Sequence, residues 1–423
     1  MTIHKRKLIH NVEKIKKRSN YQPFVFGKPV LLWIFMGLLG GSIAGGYWIL
    51  LEHLTHFMAQ FQGWFVIPLM AISGLVAGLI IHFIGDPGEL KLIVNNIRFN
   101  RGRLEPKNNP SMFLSSLLCI SSGGSLGPEA PLVQITGSTG SLLGKILRLK
   151  GENFRSLTIA GMASGFTALF GAPLGGSLFS LEILHHKHVV EYYEAILPAL
   201  VASSASYVVF ALIVHLGFGP VWNFPYYHLE SMFDFLYAVL FALVAVVVGW
   251  CFIYLAKSLQ FFWKKTKLPI YAKMFLGGLI LGIIAYYLPL TRYFGHEEIN
   301  TILTGEYTIS FLVLLLIFKI FSILITVTSG WRGGFIIPLF LVGTVLGSLL
   351  HHLFPEINLS LATISCMAAL NACVTRTPLS TAILLSSMTG FHYFVPITFA
   401  SLTGYFFSPN DPFISTQKTQ EGL

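Results

Sequence analysis

Apolar blocks recur along the whole chain, each long enough to cross a membrane. Val30–Leu51, Phe65–Ile84, Met232–Leu255 and Ile309–Val327 are the clearest. Each would span the ~30 Å hydrocarbon core of a bilayer as a helix. The polar positions between blocks are unequal in charge. Basic residues gather in four stretches: the N-terminal "HKRKLIHNVEKIKKR", Lys91–Lys107, Lys145–Arg155 and Lys257–Lys273. The segments Thr55–Trp64 and Gly217–Asp234 carry no lysine or arginine. Basic loops stay in the cytoplasm, which puts the four stretches inside and the two uncharged segments outside.

Composition agrees with this pattern. Of 423 residues, 54% are hydrophobic and 11% charged, where a soluble domain has roughly 25% charged residues. The mean hydropathy is +0.70. The chain reads as an all-α, multi-pass integral protein of the cell membrane. The N-terminus is basic and lacks the short apolar core of a cleavable signal. Residues 1–29 are expected to form a cytoplasmic basic arm, with His4–Arg18 lying as an amphipathic helix on anionic lipid. Residues 30–408 form the membrane domain. Residues 409–423 are a short cytoplasmic tail with no room for a soluble regulatory domain. The net charge of +10 follows from topology and headgroup contact and implies no nucleic-acid partner. Cys119, Cys251, Cys366 and Cys373 are scattered in apolar segments and read as small core hydrophobes.

The chain also repeats itself. "PLVQITGSTGSLLG" from Pro131 matches "PLFLVGTVLGSLLH" from Pro338, with Gly140 and Gly347 at the same offset. Downstream, "MASGFTALFGAPL" from Met162 matches "MAALNACVTRTPL" from Met367. Two blocks in the same order at strict spacing indicate two halves built alike. In transporters such halves are often inverted repeats around a site near the midplane.

Glycine and proline break the apolar runs at Gly127–Pro131 and at Gly333–Pro338. Non-helical backbone is tolerated at membrane depth where it lines a cavity. Each proline suits the first turn of a new helix, where its missing N–H costs nothing. A helix start offers free N–H groups and about half a positive charge, so two starts meeting in mid-membrane make an anion site. "GDPGELKLIV" at Gly85–Val94 is a third break of the same kind. Glu129 lies two residues before Pro131. A mid-bilayer charge costs at least ~2.5–3.5 kcal/mol, so its place there points to function. At a helix start a carboxylate satisfies the same N–H groups as an anion, which makes Glu129 a competitor for the site: a gate, with proton carriage open. Glu182 is the other acid clearly inside an apolar segment.

These residues resemble the CLC family of chloride channels and proton-coupled anion antiporters, over about Phe35 to Phe413. The family's GREGP motif is similar to Gly127-Pro128-Glu129-Ala130-Pro131, and its GxFxP motif to Gly334-Phe335-Ile336-Ile337-Pro338. "FGAPLGGSLFSLEI" at Phe170–Ile183 and "TRTPLSTAILLSSMTG" at Thr375–Gly390 also look like family segments. The resemblance implies a CLC-type fold of two inverted repeats of tilted, broken helices, and a homodimer with one pore per subunit. It implies chloride as the transported ion, with protons as a possible second substrate, and no cofactor. Glu129 would be the gate, and Glu129 with Glu182 the proton pathway. The implied anion-binding set is Gly85 or Asp86, Gly127, Pro128, Glu129, Ala130, Gly334, Phe335, Ile336 and Phe413. Several positions depart from the pattern. The motif arginine is Pro128, and the pore phenylalanine is Ile336. The central tyrosine falls on Phe413 or Ile414, and the central serine on Gly85 or Asp86. An Asp86 side chain facing the pore would repel chloride, whereas one capping the next helix would not. The family's internal proton glutamate falls on Ile183, beside Glu182, which leaves a channel and an antiporter both open.

The remaining polar residues fit into this scheme. His185–His188 and His351-His352 read as interfacial segments rather than metal sites. Lys319, alone in an apolar run, either snorkels or lines an anion vestibule. Arg332 and Arg376 flank the second-half breaks and would raise the local anion concentration. No HxxxxD, HExxH, GxSxG or paired acids lie in an apolar segment, which disfavours a membrane-embedded enzyme. A cation transporter would need more buried carboxylates. Transport of another anion, such as fluoride, remains an alternative to chloride.

Overall fold

The computed structural model describes residues 28–88, 102–184, 189–215, 219–225, 227, 231–414 and 417. The His4–Arg18 arm, the His185–His188 run and the helical pattern after Pro87-Gly88 lie outside the described residues. Among those described are fifteen α-helices and no strand. In the first half these are α1 (Lys28–Ala59), α2 (Val66–Ile84), α3 (Asn109–Ser121), α4 (Glu129–Ile146), α5 (Gly151–Phe170), α6 (Pro173–Glu182) and α7 (Val189–Val214). The second half holds α8 (Met232–Lys265), α9 (Ile270–Tyr287), α10 (His296–Thr304), α11 (Ile309–Ser329), α12 (Ile336–Leu353), α13 (Leu359–Thr375), α14 (Pro378–Thr389) and α15 (Phe394–Phe406). Seven of the helical segments are long and apolar enough to cross a membrane; the chain is a multi-pass integral membrane protein.

Helix starts follow local chemistry. Proline occupies the first or second position of α3, α6 and α14, where its fixed φ suits the helix and its lost donor is free anyway. α8 opens on a capping box between Ser231 and Asp234, which satisfies two of the orphan N–H groups. Pro131 and Pro338 are each the third residue of their helices, α4 and α12.

Packing repeats as the sequence does. α4 lies on α5, α5 on α7 and α1 on α7; in the second half α12 lies on α13, α13 on α15 and α8 on α15. The matched glycines explain why these pairs are close. A Cβ on Gly140 would sit 2.5 Å from the Leu157 carbonyl oxygen, and one on Gly347 would sit 2.3 Å from the Thr363 Cα. Small residues that let backbones approach are the usual basis of helix packing in lipid, where no hydrophobic effect drives helices together.

The halves join chiefly through α2 and α9. The contact is reciprocal. Gly74 and Gly78 of α2 abut the Met274 carbonyl oxygen and the Tyr271 Cα, while Gly278 and Gly282 of α9 abut the Met70 carbonyl oxygen and the Ile67 Cα. A second junction sets α6 against α14. α5 and α13 are buried on nearly every side, so neither shows a polar face in sequence.

Three single-residue expectations change here. Cys119, Cys366 and Cys373 are buried, but Cys251 is exposed on α8, because α8 turns that face away from its helix neighbours. Lys319 neither snorkels nor reaches a vestibule. It is fully buried, and its ammonium donates to the carbonyls of Thr291 (3.1 Å) and Tyr293 (2.9 Å). Within the tail expected from residue 409, some of the described residues are packed into the domain. Ile414 and Gln417 are buried, and the Gln417 amide donates to the carbonyls of Ile183 (3.3 Å) and Thr375 (2.9 Å).

Candidate anion site

The two broken segments meet. Gly127 and Gly334 form an isolated antiparallel bridge. The Gly127 N–H donates to the Gly334 carbonyl at 2.8 Å, and the Gly334 N–H returns the bond at 2.6 Å. Two short segments of non-helical backbone thereby satisfy each other in the protein interior, as they must in the absence of water. The bridge fixes the starts of α4 and α12 beside one another. The two helices run in opposite directions. α4 leads to the basic loop at Lys145–Arg155, which is inside. α11 starts beyond the outer loop and ends beside the inner cavity described below, so α12 runs back outward.

Glu129, the first residue of α4, is 1% exposed. Its carboxylate crosses to the other half, where one oxygen accepts the Ile337 N–H of α12 at 2.9 Å. The other oxygen has no hydrogen-bond partner. It lies directly over the bridge: a Cβ placed on either Gly127 or Gly334 would fall 2.3 Å from it. Only glycine leaves room for a carboxylate, or an anion of like size, at that point. Trp331 supports the arrangement. Its ring fills the space over Gly124, where a Cβ would come within 2.8 Å, and its indole N–H donates to the Met274 carbonyl at 2.9 Å.

A cavity of about 490 Å³ ends at Glu129. Ala130, Gly334, Phe335, Ile336, Phe413, Ile414 and Ile183 line it, as do the polar residues Lys257, Gln260, Asp411 and Arg332. Lys257 belongs to the inner basic stretch, so the cavity opens inward. The Phe335 and Phe413 rings pack edge to face at 5.0 Å between centroids. Both sequence positions considered for the central tyrosine, Phe413 and Ile414, line the cavity.

Other expected residues are placed differently. Neither Gly85 nor Asp86 is in the cavity wall; Gly88 is. The Asp86 side chain is 68% exposed and its carboxylate holds the Arg332 guanidinium at 2.8 Å. The same oxygen accepts the Gly88 N–H at 2.8 Å. An anion contact at Gly85 or Asp86 therefore gives way to a local turn and an ion pair, because an arginine from the second half draws the carboxylate away. Gly127 and Pro128 act through the bridge and the helix start and do not line the cavity. Glu182 lies behind Ile183. Its carboxylate accepts the Leu379 N–H (3.0 Å), the Ser380 N–H (2.8 Å) and the Ser380 hydroxyl (2.7 Å) at the start of α14. Arg332 lines the cavity, whereas Arg376 donates to the Pro409 carbonyl outside it.

Sequence reasoning missed the Lys257–Asp411 pair at 2.5 Å. The two residues are 154 positions apart, and no local pattern links them. Among the described residues no cluster of histidine, cysteine or acid side chains has the arrangement of a metal site.

Comparison with known proteins points one way. The profile of the voltage-gated chloride channel family matches residues 74–409. An uncharacterised protein of Methanocaldococcus jannaschii is 28% identical over 391 residues, covering 90% of this chain and 95% of that protein. A Ralstonia nicotianae protein, provisionally named a ClcB-like chloride channel protein, is 28% identical over 362 residues, covering 81% of this chain and 82% of that one. Among solved structures, a slow cyanobacterial Cl−/H+ antiporter superposes with a TM-score of 0.81 at 19% identity, over 92% of this chain and 97% of that one. A CLC-type fluoride/proton antiporter superposes with a TM-score of 0.83 at 23% identity, over 93% and 98%.

Proposed function

Since the chain belongs to the voltage-gated chloride channel family, we propose that it moves chloride or a related small anion across the membrane, with Glu129 as the gate. One observation carries this reading. The Glu129 carboxylate occupies the N–H of an opposing helix start, in the wall of a cavity that Lys257 of the inner basic stretch also lines, with its second oxygen unpartnered. Anion and carboxylate want the same donors. When the side chain holds them, the inner cavity ends at a plug. When the carboxylate is protonated, its hold on the Ile337 N–H weakens and an incoming anion takes its place. No cationic side chain is needed at the seat, so an anion is held by helix ends and amides and can leave again.

The inner route for protons is the weaker part of the resemblance. Ile183 lines the cavity where the family's internal glutamate is expected, and Glu182 is engaged with three donors at the start of α14. This favours anion movement that does not rely on a proton relayed through Glu182. The proposal includes pairing of two such chains, one pore each, as the family resemblance implies. It also leaves the choice of anion to measurement, since one structural neighbour is titled a fluoride/proton antiporter.

Anion efflux from loaded liposomes, with and without a proton ionophore, tests the reading. Robust efflux is expected, and Glu129→Gln should lose the rise in flux on acidification. A Glu129→Gln protein with the parent's rate and pH response would remove Glu129 from the role. Running chloride, bromide and fluoride in parallel ranks the anions.

A further inference from the structure

The loop between α9 and α10 holds a polar group that the gate does not use. α9 starts at the inner basic stretch and runs outward, so Arg292 and Tyr293 lie on the outer side. Arg292 is 8% exposed. Among the described residues no carboxylate forms an ion pair with it. Its guanidinium stacks on the Tyr293 ring, 4.8 Å from the centroid. One terminal nitrogen makes a long bond, 3.4 Å, to the Ser122 carbonyl. Its Nε–H and the Tyr293 hydroxyl are both buried without partners. A buried donor left unpaired is costly, and more so when the group is charged.

The placement bears on the gate. Arg292 Nε rests against Gly123, where a Cβ would come within 2.9 Å. The Tyr293 N–H donates to the Gly123 carbonyl at 3.2 Å. Gly123 opens the segment that runs through Gly127 to Glu129. Glu298 interacts electrostatically with Lys319 as well as with Arg292, and Glu297 stands beside it at the start of α10. The unpaired groups here are donors, which suits an anion.

We infer that Arg292 and the Tyr293 hydroxyl form an outer anion-capture subsite, which loads a halide onto the loop before Glu129. This inference rests on the proposed transport function and deepens it.

Two measurements on the full chain test it. Crystals soaked in bromide should show an anomalous peak within hydrogen-bond distance of Arg292 Nε, and Arg292→Gln should remove it. In right-side-out vesicles, Arg292→Gln should raise the KM for outer chloride at least threefold with kcat unchanged. Arg292→Lys, which keeps charge but not the Nε–H, should fall between. An absent bromide peak overturns the subsite, as does an unchanged outer KM in a stably folded Arg292→Gln protein. A variant that loses kcat and thermal stability together also overturns it, since that marks a purely structural arginine. Failure of the gate is seen separately, in the pH response of Glu129→Gln.

Discussion

At the scale of single residues, function depends on what is left out as much as on what is present. Gly127 and Gly334 have no side chains, so the Glu129 carboxylate can lie over their bridge with one oxygen free. Gly334→Ala would bring a methyl group within 2.3 Å of that oxygen. The methyl takes the place of the carboxylate and of an anion of like size alike, so flux should fall severalfold in the liposome assay. Gly334→Ala should lower flux in a Glu129→Ala background too, because the methyl itself then fills the seat. The Asp86–Arg332 pair gives a second test. Asp86→Ala takes one negative charge away from beside Arg332 at the inner cavity. Anion entry from the inner side should rise at low ionic strength, and the gain should shrink in 0.5 M salt, since the Debye length is ~10 Å at 0.1 M and shorter above it.

At the scale of elements, the close helix pairs set the tolerance to change. The α2–α9 contact has glycine facing backbone on both sides. Gly278→Val places its side chain 2.3 Å from the Met70 carbonyl oxygen. Overpacking of this kind typically costs about 1–3 kcal/mol. A lowered unfolding temperature in detergent is expected, with Gly46→Val as the control, since nothing lies within 4 Å of that position. The Lys319–Glu298 interaction is the electrostatic counterpart. Lys319 is fully buried and Glu298 partly so, and removing the lysine alone leaves the carboxylate without the cation that offsets it. Lys319→Met should therefore be more damaging than Lys319→Met with Glu298→Gln, by the same unfolding measurement.

At the scale of the whole molecule, orientation follows from charge. With Cys251 replaced by serine, a cysteine at Gln62 should react with a membrane-impermeant maleimide in right-side-out vesicles. A cysteine at Lys267 should react only in inverted ones. Both positions are exposed, so burial does not decide the result. The inverse pattern would place the Glu129 cavity on the outer side and reverse the roles assigned to its two approaches. The two halves also divide the labour. The first contributes the carboxylates Glu129 and Glu182, and the second contributes the helix starts that receive them, at Ile337 and at Leu379-Ser380.

What the chain alone determined is short-range or periodic. Long apolar runs, basic loops, two spaced blocks and an acid at a proline-broken helix start are all visible in one dimension. Each reflects a local cost: backbone groups in lipid must be satisfied, and charge must avoid the bilayer centre. The tertiary structure decided everything that depends on residues far apart in sequence. It alone paired Gly127 with Gly334, set Lys257 against Asp411 and drew Asp86 to Arg332 rather than to the pore. It also sank Lys319 beneath two carbonyls and folded Phe413 into the cavity. The physical reason is the same throughout. A buried polar group takes whichever partner the packing brings within reach, and in an inverted two-fold architecture that partner comes from the other half of the chain.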